Sequence, residues 1–180
     1  MIMSFKSWFF QASILVVLLF TTPSFANLDV NDSSKLINDI CPTTRFPSYC
    51  LEVLESIPEA ATADLKGLAQ ITLDLAISKA SSTLDRIRSL IPQTTDPKLK
   101  QAYKSCSEHY DNTIGDLKEA ESDFKQGDKY GMNQYASAAM TEAGDCDDQT
   151  EELAVDPLIQ KGNQDFDNIC GIVLAISNHL

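Results

Sequence analysis

Residues 96–128 read DPKLKQAYKSCSEHYDNTIGDLKEAESDFKQGD, and the spacing of their apolar side chains decides the fold class. Alternating steps of four and three residues connect one stripe: Leu99, Tyr103, Cys106, Tyr110, Thr113, Leu117, Ala120 and Phe124. Such spacing puts all of them on one side of a helix, as in the seam of a helical bundle. Asp96 followed by Pro97 is typical of a helix start, and Gly127 of a helix end. The stretch therefore predicts one long helix with one buried side.

Three further helices are predicted around this one. The first runs from about Thr62 to Ile91 and stops before Pro92. Its predicted inward residues are Leu65, Leu68, Leu75, Leu84, Ile87 and Ile91. Asp128 caps the next, which runs to about Glu152. The Asp156-Pro157 pair begins the last, whose stripe is Ile159, Gly162, Phe166, Ile169, Val173, Ile176 and Leu180.

Four long helices with short connections predict an all-α, up-down-up-down four-helix bundle over residues 61–180. The segment 27–60 contains shorter helical pieces interrupted by Pro42, Pro47 and Pro58, and it predicts an N-terminal helical hairpin. The small residues Thr113, Ala120 and Gly162 in the seams favour close packing. They argue against the alternative of a lipid-carrying or storage bundle, which needs an interior cavity.

Residues 1–26 have the pattern of a secretory signal peptide. Lys6 precedes an apolar centre that includes residues 14–20, and the small residues Ser24 and Ala26 mark a cleavage site after Ala26. A membrane anchor is the alternative, but about 14 apolar residues fall short of the ~20 that a span needs. We therefore expect a secreted, extracellular chain of residues 27–180 that has no membrane association after cleavage. The sequon at Asn31 is a candidate glycosylation site.

The composition excludes some functions. Hydrophobic residues make up 43% of the chain and charged residues 22%, which is typical of a globular protein. Asp and Glu number 26 against 14 Lys and Arg, so the net charge is −12. A nucleic-acid partner needs a basic face, so this balance argues against nucleic-acid binding.

The cysteines of a secreted chain are expected to form disulfides. Five cysteines and two bridges allow fifteen arrangements, which the helix register reduces. Cys106 lies 21 residues before Gly127 and Cys146 lies 19 residues after it. In an antiparallel hairpin turning at Gly127 the two face one another, and we expect them to pair. The resulting disulfide would fasten two bundle helices together.

The remaining cysteines follow from this assignment. Cys41 and Cys50 enclose Pro42 and Pro47 of the N-terminal hairpin, so a local bridge between them is expected. Cys170 is left on the apolar side of the last helix, where a buried free thiol is expected.

No catalytic motif is present in the sequence. The two histidines, His109 and His179, lie outside any HExxH pattern, and GxSxG, P-loop and CxxC motifs are missing. Asp145, with its acidic neighbours, raises the possibility of a calcium loop, but an EF-hand starting there needs glycine where Thr150 stands. We therefore predict no catalytic residue, no metal and no cofactor. A rigid acidic bundle that presents a helix face to a partner is the favoured function.

Seven motifs in order resemble the plant invertase and pectin methylesterase inhibitors. They are ICPTTRFPSYC (40–50), DLKGL (64–68), DPKL (96–99), CSEHY (106–110), YASAA (135–139), CDD (146–148) and CGIVLAISN (170–178). The resemblance covers essentially the whole chain after residue 26. It implies a four-helix bundle behind an N-terminal helical hairpin, with two disulfides and a free fifth cysteine.

The two branches of this family inhibit different enzymes. Invertase inhibitors characteristically carry Pro-Lys-Phe in the turn between the second and third bundle helices. Here the matching residues 127–130 are GDKY, without the proline and the phenylalanine. The resemblance therefore implies a secreted inhibitor of pectin methylesterase, which forms a 1:1 complex and covers the pectin-binding cleft. The alternative is an inhibitor of cell-wall or vacuolar acid invertase.

The resemblance also implies a set of contact residues. In the family, polar residues of the second and third bundle helices touch the esterase. The matching positions in this chain are Glu108, Asn112, Asn133, Thr141 and Asp148. Asn112 and Thr141 stand where acidic residues are expected from the family, so this chain departs from the pattern at both.

Overall fold

The computed structural model describes residues 30–180, and the side chains of residues 33–180. This part of the chain contains six α-helices: α1 (Val30–Ile40), α2 (Pro47–Glu55), α3 (Leu65–Leu90), α4 (Pro97–Gln126), α5 (Lys129–Thr150) and α6 (Pro157–His179). Short 3-10 turns cover Cys41–Thr43 and Pro58–Thr62. The described part contains no strand, and the predicted all-α class is confirmed. The predicted signal peptide and the side chain of Asn31 lie outside the described residues.

Each of the four long helices begins at an aspartate. The side chains of Asp64, Asp96, Asp128 and Asp156 accept hydrogen bonds from backbone N–H groups in the first turn of α3, α4, α5 and α6 respectively. These carboxylates satisfy N–H groups that the helix leaves free, and they stabilise the positive end of the helix dipole. Because Asp64 is the cap, α3 begins at Leu65 and not at Thr62 as predicted.

The four long helices form a closed ring. Helix α4 packs against α3 and α5, and α6 packs against α5 and α3, so every neighbour along the chain is also a neighbour in space. The connection between α4 and α5 is the shortest, because Gly127 adopts a φ of 81° that ends α4 and Asp128 caps α5 at once. This arrangement is the up-down-up-down four-helix bundle that four long helices with short connections predicted.

The predicted stripes of α4 and α6 form the core, and only their end residues Leu99, Phe124 and Leu180 are half-buried. The prediction was less accurate for α3, where Leu65, Leu75 and Ile91 are half-buried. The buried side of α3 consists of Leu68, Ala69, Thr72, Leu73, Ala76, Ala80, Thr83, Leu84 and Ile87. Small residues make up much of this side because α3 lies close to its neighbours, and a search for leucines alone misses them.

The N-terminal hairpin of α1 and α2 packs on the bundle through α6. A disulfide joins Cys41 to Cys50 with their Cα atoms 5.4 Å apart, and both cysteines are fully buried. The hydroxyl of Ser33 donates to the carbonyl of Ala63 at 2.8 Å, which ties α1 to the segment that leads into α3. None of the described helices is long and apolar enough to cross a membrane.

Gly162 of α6 sits against Thr83 of α3, where a side chain does not fit. A Cβ atom at Gly162 would lie 2.5 Å from Oγ1 and 3.1 Å from Cγ2 of Thr83. Thr83 is buried and its hydroxyl donates to the carbonyl of Lys79 at 3.1 Å, so it does not move aside freely. Close approach of α3 and α6 therefore depends on glycine at this position.

We predict that Gly162→Ala lowers the free energy of unfolding by about 1–2 kcal/mol, because overpacking outweighs the better helix propensity of alanine. Urea unfolding measures the change. Gly171→Ala on the same helix is the matched control, since a Cβ atom at Gly171 meets nothing within 4 Å. It should leave stability unchanged or raise it by up to ~1 kcal/mol. Equal stabilities for the two variants would contradict the dependence of the α3–α6 contact on glycine at position 162.

Candidate functional site

Helices α4 and α5 form a pair that is fixed at both ends. One end is the turn at Gly127 and Asp128. Near the other end a disulfide joins Cys106 to Cys146, with Cα atoms 4.7 Å apart. At about 1.5 Å per helical residue these two fixed points are roughly 30 Å apart. The outer surface of the pair is thus a long and preorganised platform.

Four of the five residues implied by the family resemblance lie exposed on this pair: Glu108, Asn112, Thr141 and Asp148. Glu108 and Asn112 are four residues apart on α4, a spacing that places them on the same side of the helix. The amide of Asn112 donates to Oε2 of Glu142 on α5 at 3.3 Å. Thr141 donates to the carbonyl of Ser137 within its own helix at 3.2 Å. The structure therefore places these four on the outside of the α4–α5 pair.

Asn133 has a different environment. It is half-buried, and its amide donates to the hydroxyl of Ser177 on α6 at 2.7 Å. The hydroxyl of Ser177 in turn donates to the carbonyl of Leu174. Asn133 therefore holds α5 to α6, and the structure does not bring it together with Asn112 and Glu142.

His109 links α4 to α5 beside Asn112. Its Nδ1 atom lies 2.8 Å from Oε2 of Glu142, and its Nε2 atom lies 2.8 Å from the side-chain nitrogen of Gln149. A carboxylate only accepts hydrogen bonds, so Nδ1 donates to Glu142 and Nε2 accepts from the amide of Gln149. Asp145 completes the group, because one ligand atom from each of His109, Glu142 and Asp145 lies within 4.8 Å of the other two.

Acidic side chains extend this group along α4. Partial burial raises the pKa of Asp116, and the negative charges of Glu142 and Glu119 raise it further. The residues Glu108, Asn112, Asp116, Thr141, Glu142, Asp145 and Asp148 are called the α4–α5 surface below. Its negative potential and rigid backbone suit recognition of a basic partner.

The sequence patterns do not single out Glu142, and they place His109 outside any catalytic or metal-binding motif. A signal was nevertheless present. His109 follows Cys106 by three residues, and Glu142 precedes Cys146 by four. In an antiparallel helix pair linked through these cysteines, such positions face one another. Extending the disulfide register by one turn would have found the pair.

A polar chain crosses the bundle behind this surface, from the buried Tyr110 and Asn163 to the exposed Asp147. The hydroxyl of Tyr110 on α4 donates to Oδ1 of Asn163 on α6, and the amide of Asn163 donates to Asp147 on α5. Asn163 is 3% exposed and Tyr110 is fully buried, and burial raises the pKa of the Tyr110 hydroxyl. Asp147 is an exposed residue whose carboxyl is partly covered, and this partial burial raises its pKa; its hydrogen bond from Asn163 opposes the shift, and the charges of Asp148 and Asp167 reinforce it.

Asp148 lies at the edge of a cleft of about 370 Å³ between the N-terminal hairpin, α5 and α6. Arg45 and Phe46 form its hairpin side, and the Arg45 guanidinium lies 5.2 Å from the centre of the Phe46 ring. A guanidinium nitrogen of Arg45 is 3.7 Å from Oδ2 of Asp167 on α6. The cleft is open, and its aspartates Asp147 and Asp148 add negative charge to this end of the α4–α5 surface.

The arrangement offers binding and not nucleophilic chemistry. Cys170 is fully buried, and burial raises the pKa of its thiol, which keeps the thiol protonated and unreactive. His109 contacts Glu142 and Gln149, and no described hydroxyl or thiol contacts its ring nitrogens. The described residues form a rigid, acidic surface with exposed hydrogen-bonding groups.

Comparison with known proteins gives a consistent result. A family model described as "Plant invertase/pectin methylesterase inhibitor" matches residues 35–176. A pectinesterase inhibitor of Actinidia deliciosa is 43% identical over 93% of this chain and 91% of its own length. A putative invertase inhibitor of Platanus acerifolia is 31% identical over 84% of both chains. The crystal structure of a mutant pectin methylesterase inhibitor from Arabidopsis superposes with a TM-score of 0.75 at 39% identity, covering 80% of this chain and 96% of that one.

The raised pKa of Asp147 makes a prediction about stability and pH. A carboxyl group whose pKa is raised on folding binds its proton more tightly in the folded state, so its ionised form destabilises the protein. This destabilisation is present at neutral pH and disappears as the pH falls through the pKa of Asp147 in the folded protein. Asp147→Asn keeps an acceptor for Asn163 and removes the charge. We expect it to raise the melting temperature at neutral pH, with a gain that shrinks towards pH ~3.5.

Thermal unfolding across this pH range measures the effect. Asp85→Asn is the control, because it removes the same charge from an exposed aspartate on α3 that accepts no hydrogen bond from the described side chains, whereas Asp147 accepts one from the buried Asn163. A gain of equal size in both variants would come from the lower net charge of the protein. That result would remove the role assigned to the partial burial of the Asp147 carboxyl.

Proposed function

The chain belongs to the plant invertase/pectin methylesterase inhibitor family, and we propose that it inhibits a pectin methylesterase by forming a 1:1 complex that covers the pectin-binding cleft. The matched residues 35–176 include α3, α4, α5 and most of α6. The family consists of inhibitors, in agreement with the prediction that the chain is not an enzyme. The single observation that carries the proposal is the α4–α5 surface, which is acidic, largely exposed and fixed at both ends.

The charge of this surface suits the proposed partner. Pectin is a polymer of uronates, so a cleft that holds it has to accommodate negative charges. The carboxylates of Glu108 and Asp148 can take the place of such charges and steer the encounter between the two proteins. Because the disulfide and the turn already order the two helices, little conformational entropy is lost on binding. The inhibitor then excludes the polymer without taking part in the chemistry.

We assign partner contacts to Glu108, Asn112, Thr141 and Asp148. All four are exposed on α4 or α5, so a partner can reach them without any change in the bundle. Asn133 is left out of this set because its amide is already engaged with Ser177. Release of that amide would cost one of the hydrogen bonds between α5 and α6.

An esterase is favoured over an invertase as the target. The turn between α4 and α5 has the sequence GDKY at residues 127–130, without the Pro-Lys-Phe of invertase inhibitors. Lys129 is preceded here by Asp128, whose side chain accepts the capping hydrogen bonds of α5, and proline has no side-chain acceptor to take that role. The identity to the pectinesterase inhibitor of Actinidia deliciosa, 43%, also exceeds the 31% to the putative invertase inhibitor.

We propose that inhibition takes place outside the cell. The apolar segment and the cleavage pattern of residues 1–26 support export. The two disulfides support an oxidising compartment, because such bonds persist in secreted proteins and are rare in the cytosol.

The test of this function is a parallel titration of residues 27–180 against a plant pectin methylesterase and an acid invertase at mildly acidic pH. We expect esterase activity to fall in proportion to added inhibitor and to vanish at a 1:1 ratio, with invertase activity unchanged. Loss of invertase activity alone would establish the alternative target. Unchanged activity of both enzymes would overturn the proposal while leaving the fold intact.

Charge reversal tests the contact surface. We predict that the double variant Glu108→Lys and Asp148→Lys raises the inhibition constant by at least about tenfold, because it sets like charges against a basic cleft. The matched control is Glu59→Lys with Asp85→Lys, which changes the net charge equally at exposed positions outside α4 and α5. Circular dichroism checks that both variants fold. Equal inhibition constants for the two double variants would contradict the placement of the interface.

A further inference from the structure

We propose that His109, Glu142 and Asp145 form a binding site for a divalent transition cation of the Zn²⁺ class. Each residue offers one ligand atom, and the three atoms lie within 4.8 Å of one another. A tetrahedral Zn²⁺ site with bonds of about 2.0–2.2 Å sets its ligand atoms roughly 3.4 Å apart. Small rotations of the side chains close this difference, since Asp145 is exposed and free to turn. The inference does not depend on the proposed esterase target.

The backbone beneath these ligands is held by the Cys106–Cys146 disulfide. His109 lies one turn beyond Cys106 on α4. On α5, Asp145 adjoins Cys146 and Glu142 lies one turn before it. The side chains of His109 and Glu142 are only 21% and 29% exposed. Because these positions are ordered before binding, a cation gains its ligands without first having to fix two mobile helices.

The contacts of His109 can be converted into those of a ligating histidine by the movement of two side chains, those of Glu142 and Gln149. Nδ1 faces the carboxylate of Glu142 at 2.8 Å, and the two atoms have to separate to about 3.4 Å for a cation to take the place of the proton between them. The imidazole then carries its proton on Nε2, which faces the side-chain amide of Gln149 at 2.8 Å. Rotation of that amide presents its carbonyl oxygen to the Nε2 proton. Such a second hydrogen bond fixes the tautomer and orientation of a ligating histidine.

Asn112 supplies the corresponding support on the carboxylate side. Its amide donates to Oε2 of Glu142 at 3.3 Å, and this bond orients the group that faces His109. The site therefore contains three ligands and two polar side chains that position them. A water molecule would complete the four positions of a tetrahedral ion.

The ligand chemistry selects the class of cation. Imidazole with two carboxylates suits Zn²⁺, Co²⁺, Ni²⁺ or Cu²⁺. Ca²⁺ takes six to eight oxygen ligands, and Mg²⁺ prefers oxygen ligands and retains its water, so an imidazole at this position disfavours both. The two carboxylates also balance the charge of a divalent ion.

The test uses the chelator-treated inhibitor at neutral pH, without any esterase. We expect isothermal titration to show one Zn²⁺ bound per chain, and Co²⁺ to give the visible absorption of a low-coordinate site that Zn²⁺ abolishes and excess Ca²⁺ does not. His109→Ala and Asp145→Asn should each weaken Zn²⁺ binding by at least about tenfold. His179→Ala and Asp85→Asn are the matched controls, being exposed residues of the same types outside the group.

Thermal unfolding without metal checks that each of the four variants retains the fold, and Zn²⁺ affinities are compared among the folded variants. Zn²⁺ affinity that is unchanged by His109→Ala would overturn the proposal. Equal losses in the site variants and their controls would do the same, as would displacement of Co²⁺ by Ca²⁺. Because no partner is present, failure of this test leaves the esterase proposal standing, and failure of the esterase titration leaves this one.

Discussion

The pairing of α4 with α5 is the constraint on which most other features of this protein depend. A two-residue turn fixes the pair at one end, and the Cys106–Cys146 disulfide fixes it near the other. With both ends held, the helices cannot slide past one another by a turn. The same register turns the apolar stripe of α4 towards the core and brings His109 opposite Glu142 on the outside.

The rest of the bundle closes on this pair through small residues and the polar chain that ends at Asp147. Gly162 lets α6 approach Thr83 of α3, and alanines fill much of the seam on α3. The chain from Tyr110 through Asn163 to Asp147 connects α4, α6 and α5. A buried polar group is costly unless its hydrogen bonds are made, so this chain specifies one relative arrangement of the three helices.

The two sides of the α4–α5 pair have separate roles. The inner side supplies the core, while the outer side carries acidic and amide groups that the core does not need. A protein that acts by occupying another protein's cleft requires such a division, because the contact surface has to keep its shape while its side chains meet a partner. The disulfide contributes to both roles, since it stabilises the bundle and holds the surface in a fixed geometry.

The sequence alone determined the helical class, the starts of α4, α5 and α6, and the stripes of α4 and α6. These features are local: Asp-Pro pairs, a glycine end and a repeat of three and four residues act within a few turns of one helix. The sequence also indicated the family, through motifs that are spread over most of the chain.

The tertiary structure decided the features that involve side chains from different helices. The sequence did not reveal that Asn133 faces α6, that Asn163 joins Tyr110 to Asp147, or that His109 meets Glu142 and Asp145. The leucine pattern of α3 also predicted half-buried leucines as core residues and missed the buried alanines. The reason is physical: helical periodicity fixes which side of a helix a residue occupies, whereas the rotation and height of each helix against its neighbours are set by packing, and a contact between helices depends on both.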